Sequence, residues 1–134
     1  MKKILTVALL AVTATAAAAA VVRSNGDPAR KMWEALNLMA KLEDLPLHVV
    51  DGNTDTISVR SLTCASEQYD ACSMFVMVDG KEKMIVHTDA AGKIIDALYE
   101  NGIYPSEDDP SYSQHASRVS CSATNGKFDC VIEE

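Results

Sequence analysis

The sequence predicts an α+β domain: an N-terminal amphipathic helix packed on a mostly antiparallel sheet of five or six strands. Three observations predict it. Apolar residues recur at helical spacing between residues 28 and 42. From residue 47 onward, short apolar runs alternate with two-residue turn signals, and tight turns join neighbouring strands antiparallel. Four cysteines fall into two close pairs, as expected of a small domain stapled by disulfides.

Ahead of that domain stands a different kind of segment. Lys2 and Lys3 precede an apolar run from Ile4 to Val12, and an alanine stretch follows to Ala20. A positive start, a short greasy middle and small residues at the end are the parts of a secretory signal, with cleavage expected after Ala20. An uncleaved anchor from Ile4 to Val22 is long enough to span a bilayer, but alanine and threonine make it weakly hydrophobic. The first cysteine is Cys64, so no lipid anchor is expected at the cleavage site. The short alanine-rich leader points to a Gram-negative bacterium or its phage, and to the periplasm. Residues 21–134 then form a single small domain.

The formal net charge is −7, and loss of Lys2 and Lys3 takes the mature chain to −9. That balance argues against nucleic acid, whose binders carry a basic footprint, and against docking on anionic lipid. It favours encounter with a basic protein partner.

Asp27 and Pro28 open the helix, Asp27 as N-cap and Pro28 where its missing N–H costs nothing. Met32, Ala35, Leu36, Leu38, Met39 and Leu42 share one broad face, and Pro46 ends the element. Residues 47–50 and 56–63 read as strands around the turn cluster Asp51-Gly52-Asn53-Thr54. Residues 72–78 are apolar on both faces, as in an interior strand, and Asp79-Gly80 turns the chain into residues 83–88. Residues 89–102 admit a helix capped by Asp89 and closed by Asn101-Gly102, with Ile103 packing back, or a turn and a further strand; the helix is preferred. Residues 104–116 carry two prolines and no periodicity, and read as a long surface loop.

The last hairpin decides a disulfide. Asn125-Gly126 suits a two-residue turn in which both positions need positive φ. Thr124 then faces Lys127, Ala123 faces Phe128, Cys121 faces Cys130 and Val119 faces Ile132. The last three pairs put six apolar residues on one side, and a slip of one residue would scatter them. Cys121 and Cys130 fall at a non-hydrogen-bonded site, where side chains approach closest. Cys64 and Cys72 are left to pair with each other.

Chemistry is sparse. Neither cysteine pair has the Cys-x-x-Cys spacing of zinc or redox sites. His48, His87 and His115 share no ligand spacing, and no serine-nucleophile motif appears. Glu107-Asp108-Asp109 lacks the pattern of a calcium loop. No catalytic residue, metal or cofactor is therefore expected. The expected function is a non-catalytic, exported protein-binding domain, an inhibitor, immunity or exclusion factor acting on an envelope or secreted protein. The expected contact residues are Tyr104, Glu107, Asp108, Asp109 and Tyr112 in the long loop, because tyrosines are enriched at interfaces. The alternatives are an envelope assembly accessory and a small hydrolase built around His87 and Asp89.

Overall fold

The computed structural model describes residues 20–65, 70–106, 108 and 112–134. The expected leader, up to residue 19, lies outside the described residues.

The helix is not the first element of the domain. Strand β1 (Val21–Asn25) precedes α1 (Asp27–Leu42) and pairs antiparallel with β7 (Lys127–Glu133), from Val21 opposite Glu133 to Asn25 opposite Asp129. Arg23, Ser24 and Asn25 give β1 no local strand signal. Pairing along the edge of β7 makes it a strand.

Gly26 (φ 68°) turns the chain from β1 into α1 and takes the N-cap position expected of Asp27. The Asp27 carboxylate instead accepts hydrogen bonds from Arg30 within the first turn. Met32, Leu36 and Met39 are fully buried with Ala29 and Ala35, as the spacing requires. Truncating any of the three large side chains to Ala would cost about 2–5 kcal/mol. Leu42, expected on the same face, lies exposed at the helix end. The helix stops before Pro46 because Asp44 adopts φ 54°. Leu45 N–H donates to Ala40 O (2.9 Å) and Asp44 N–H to Lys41 O (3.2 Å), closing the end carbonyls in a Schellman motif. Pro46 lies beyond a helix already ended.

The remaining strands are β2 (Val49–Asp51), β3 (Thr54–Ala65), β4 (Ala71–Val78), β5 (Lys81–His87) and β6 (Ser113–Thr124). All pairings are antiparallel, in the order β1-β7-β6-β3-β4-β5, with β2 alongside β3. Among the described residues the sheet therefore has seven strands rather than five or six. The β6–β7 hairpin has the expected register, with Cys121 opposite Cys130 and Thr124 opposite Lys127. Asn125 (φ 51°) and Gly126 (φ 80°) make the turn with both positions at positive φ.

Strand β6 is longer than expected and takes Ser113 to Ala116 out of the supposed loop. Along its full length it pairs with β3, from Ala65 opposite Ser113 to Thr54 opposite Thr124. The alternation that would have revealed this breaks at Ser117–Arg118, opposite Arg60–Ser61, where Ser61 takes φ 52° and the register towards β4 shifts by one residue.

Residues 89–102 contain helix α2 (Ala91–Glu100). Its N-cap is Ala90 without a side-chain cap, so Asp89 does not cap it. Its C-terminus is as expected: Ile103 N–H donates to Leu98 O (2.9 Å), Gly102 N–H to Tyr99 O (3.0 Å), and Ile103 is buried. Two buried amides tie this end to the rest. Asn101 Nδ2 donates to Pro28 O and Ala97 O, and Gln114 Nε2 donates to Ile103 O.

The helices pack on one face of the sheet, over Ile57, Val59, Leu62, Met74, Val76, Val119 and Ile132. Both disulfides lie in this core, Cys64–Cys72 linking β3 to β4 and Cys121–Cys130 linking β6 to β7. Each joins register partners whose Cα atoms are 4.1 Å apart, the close spacing of a non-hydrogen-bonded pair.

Candidate functional site

Side chains alternate along a strand, so a sheet with helices on one face must present a second set to the other. On β3 that set includes Ser58 and Arg60, on β4 Phe75 and Met77, on β5 Met84 and Val86, and on β6 Arg118 and Ser120. The register makes them neighbours: Arg118 opposite Arg60, Arg60 opposite Phe75, and Phe75 opposite Met84. Among the described residues no helix covers them. Met77, Met84 and Val86 are 53%, 60% and 59% exposed, and Val49 and Val50 on β2 are 66% and 67% exposed.

Residues 72–78 form the expected interior strand. The strand is apolar on both faces and lies inside the sheet, between β3 and β5, but its second face is bare. A contiguous apolar patch left bare marks an interaction surface more often than a lone exposed side chain does.

A groove forms where the neighbours of β3 part. Strand β2 pairs with residues 54–56 of β3, and β4 pairs with residues 60–65. Ile57 to Val59 lie between these two ladders and pair with β6 on the other side. Pro46, Leu47 and Val49 form one wall of this fork, Phe75 and Met77 the other, and Ser58, Arg60, Arg118 and Ser120 the floor. Its volume of about 370 Å³ lies at the lower end of the range for small-molecule pockets. Ser58 Oγ donates to Ser120 Oγ at 2.8 Å. Arg60 pairs with Glu82, and Arg118 Nε stands 3.9 Å from Glu133 Oε2.

The groove between α1 and α2 is likewise lined by paired charges. Lys31 meets Glu100 at 3.0 Å, and Arg30 meets Glu34 at 2.9 Å and Asp27 at 3.2 Å. The Asp27 hydrogen bond, followed by the nearby Glu34 charge, holds the Arg30 guanidinium above its ordinary value.

The histidines do not converge. His48 Nδ1 lies 2.9 Å from Asp55 Oδ1 and Nε2 lies 2.8 Å from Asn37 Oδ1, so neither ring nitrogen is free to act on a substrate. His115 Nδ1 pairs with Thr63 Oγ1 across strands at 2.9 Å. His87 is only 6% exposed, and its Nδ1 lies 3.5 Å from Glu43 Oε2. Asp89 is exposed, and the carboxylate placed against His87 is that of Glu43. Among the described residues no cluster of three His, Cys, Asp or Glu side chains is arranged to hold a metal. Among the same residues no helix is long and apolar enough to cross a membrane.

Of the loop residues singled out by sequence, Tyr104, Asp108 and Tyr112 are exposed, and the Tyr104 ring stacks at a tilt on Tyr99 with centroids 5.6 Å apart. Glu107 and Asp109 lie outside the described residues. Ser106 N–H donates to Ser113 O at 3.3 Å, closing the loop at its base. Sequence reasoning missed the bare sheet face. Its signal is present in the outward apolar residues Phe75, Met77, Met84 and Val86.

Fold and site together define a disulfide-stapled α+β domain in which, among the described residues, helices cover one sheet face and leave the other open. No protein-family model, no curated protein and no solved structure matches the chain.

Proposed function

We propose that this chain is an exported, non-catalytic protein-binding domain of the bacterial envelope, of the inhibitor, immunity or exclusion type. One observation carries the reading: Val49, Met77, Met84 and Val86 stand exposed on one face of a sheet whose β3–β4 and β6–β7 pairs are linked by disulfides on the opposite face. A rigid platform loses little conformational freedom on binding, and methionines adapt to the shape of a partner. The acidic chain attracts a basic partner at long range, whereas the apolar face supplies the contact. The Tyr104 and Tyr112 loop is a second contact in the same reading.

A photo-crosslinking residue at Met84, with a control at the exposed Lys41 on α1, tests it in intact cells. A discrete adduct with one envelope protein from position 84, and none from position 41, is the expected result. Equal labelling from both positions would remove the sheet face as the contact.

An assembly accessory is the second reading. Strand β5 ends the sheet order and so offers an edge to another strand. Lys81 and Lys83 on that edge work against uncontrolled pairing. Crosslinks from position 83 to further copies of the same chain would favour this reading.

A further inference from the structure

We infer that the fork in the sheet is a slot for the free C-terminal carboxylate of a partner polypeptide, whose last apolar side chain lies against Phe75 and Met77. The inference rests on the protein-binding reading and specifies the chemistry of the bound segment.

The floor supplies the charge. Arg60 and Arg118 are register partners on adjacent strands, an arrangement in which like charges oppose each other directly. Each guanidinium leans on a carboxylate to its own side, Arg60 on Glu82 of β5 and Arg118 on Glu133 of β7. The Arg118 contact is long, at 3.9 Å, and both partners are about half exposed, so it binds Arg118 only weakly. A carboxylate entering above the pair would take charge-assisted hydrogen bonds from guanidinium N–H groups and relieve the repulsion between them. On a chain of net charge −7, an entering anion competes with Glu82 and Glu133 for these two adjacent arginines, and Arg118 is the more loosely held.

The walls explain why the anion ends a chain. Strand β2 closes the gap on one side of Ile57–Val59 and β4 closes it on the other. Above the floor, Pro46, Leu47 and Val49 stand on one side and Phe75 and Met77 on the other, so a chain crossing from wall to wall would collide with one of them. A chain end can enter and stop. Phe75 and Met77 then offer an apolar surface one side chain away from the arginines, which suits a carboxylate attached to an apolar residue.

Fluorescein-labelled Gly-Ser-Gly-Ala-Leu-Val, with either a free C-terminus or a C-terminal amide, tests this by anisotropy on the oxidised mature protein. The free acid is expected to bind at least about tenfold more tightly than the amide. A third peptide, Gly-Ser-Asp-Ala-Leu-Val amide, has only an internal carboxylate and should behave like the plain amide. The double variant Arg60→Gln/Arg118→Gln should abolish the preference for the acid. Glu133→Gln, which releases Arg118, should strengthen it.

Equal binding of acid and amide, an acid preference that survives loss of both arginines, or no binding of any peptide overturns the inference. Tight binding of the internal aspartate peptide overturns the chain-end part. Crosslinking from Met84 is independent of these outcomes, so a failed carboxylate slot is distinguishable from a failed protein-binding reading.

Discussion

His48 and Asp55 are joined by a hydrogen bond from the imidazole to the carboxylate, with Nδ1 2.9 Å from Oδ1 and 3.0 Å from Oδ2. Asn37 on α1 meets the other ring nitrogen at 2.8 Å, and Trp33 packs edge-on against the ring at 5.4 Å. One side chain thus latches the helix to the start of β3. His48→Ala should cost about 1–2 kcal/mol, since each lost hydrogen bond contributes about 1 kcal/mol and the site is partly exposed. Trp33, the single tryptophan, reports it: denaturation followed by its fluorescence should show an earlier midpoint and a shifted native emission. Unchanged emission would mean that the ring does not sit against Trp33.

The disulfides should contribute nearly equally. Their sequence separations are 8 and 9 residues, for which the chain-entropy model gives about 2.5–3 kcal/mol each. Urea unfolding of Cys64→Ala/Cys72→Ala and of Cys121→Ala/Cys130→Ala should show similar losses. Peptide mapping without reduction should recover 64 linked to 72 and 121 linked to 130.

Asn101 holds two helices together with one amide. Replacing it with Ala leaves the carbonyls of Pro28 and Ala97 without that donor and should cost about 1–3 kcal/mol. Amide hydrogen exchange should rise first at the C-terminal end of α2. A loss no larger than that of an ordinary surface substitution would show that water serves those carbonyls equally well.

Polar replacement of the bare face should separate binding from folding. Met77→Ser and Met84→Ser remove side chains that are more than half exposed, so thermal midpoints should change little. Partner affinity should fall by about tenfold or more if these residues lie at the centre of the contact. A fall in stability with no change in affinity would contradict the proposed role.

The loop has its own test. Alanine at Tyr104, Glu107, Asp108, Asp109 and Tyr112 together should weaken partner binding while leaving circular dichroism unchanged. If binding survives all five changes, the sheet face acts alone.

Much of this architecture was legible locally. The periodicity of Met32, Leu36 and Met39 places α1, Asn125-Gly126 sets the β6–β7 register and with it one disulfide, and Gly102 with Ile103 closes α2. These features depend on residues within one or two turns of each other. The parts that were not legible depend on distant partners. The polar half of β1, Arg23 to Asn25, is strand only because β7 lies beside it, and the first residues of β6 are strand only because β3 does. An apolar strand face does not say what covers it, so Phe75 and Met77 do not reveal by themselves that their face is left bare.

Short-range backbone chemistry and side-chain period account for the cysteine pairing, the Asn125-Gly126 turn and the buried face of α1 up to Met39. Tertiary structure alone decided that both helices pack on one side, that β2 and β4 share an edge of β3, and that Arg60 comes to lie opposite Arg118. Strand order and layer coverage are settled by burial summed over the whole chain, and no local stretch of residues encodes that sum.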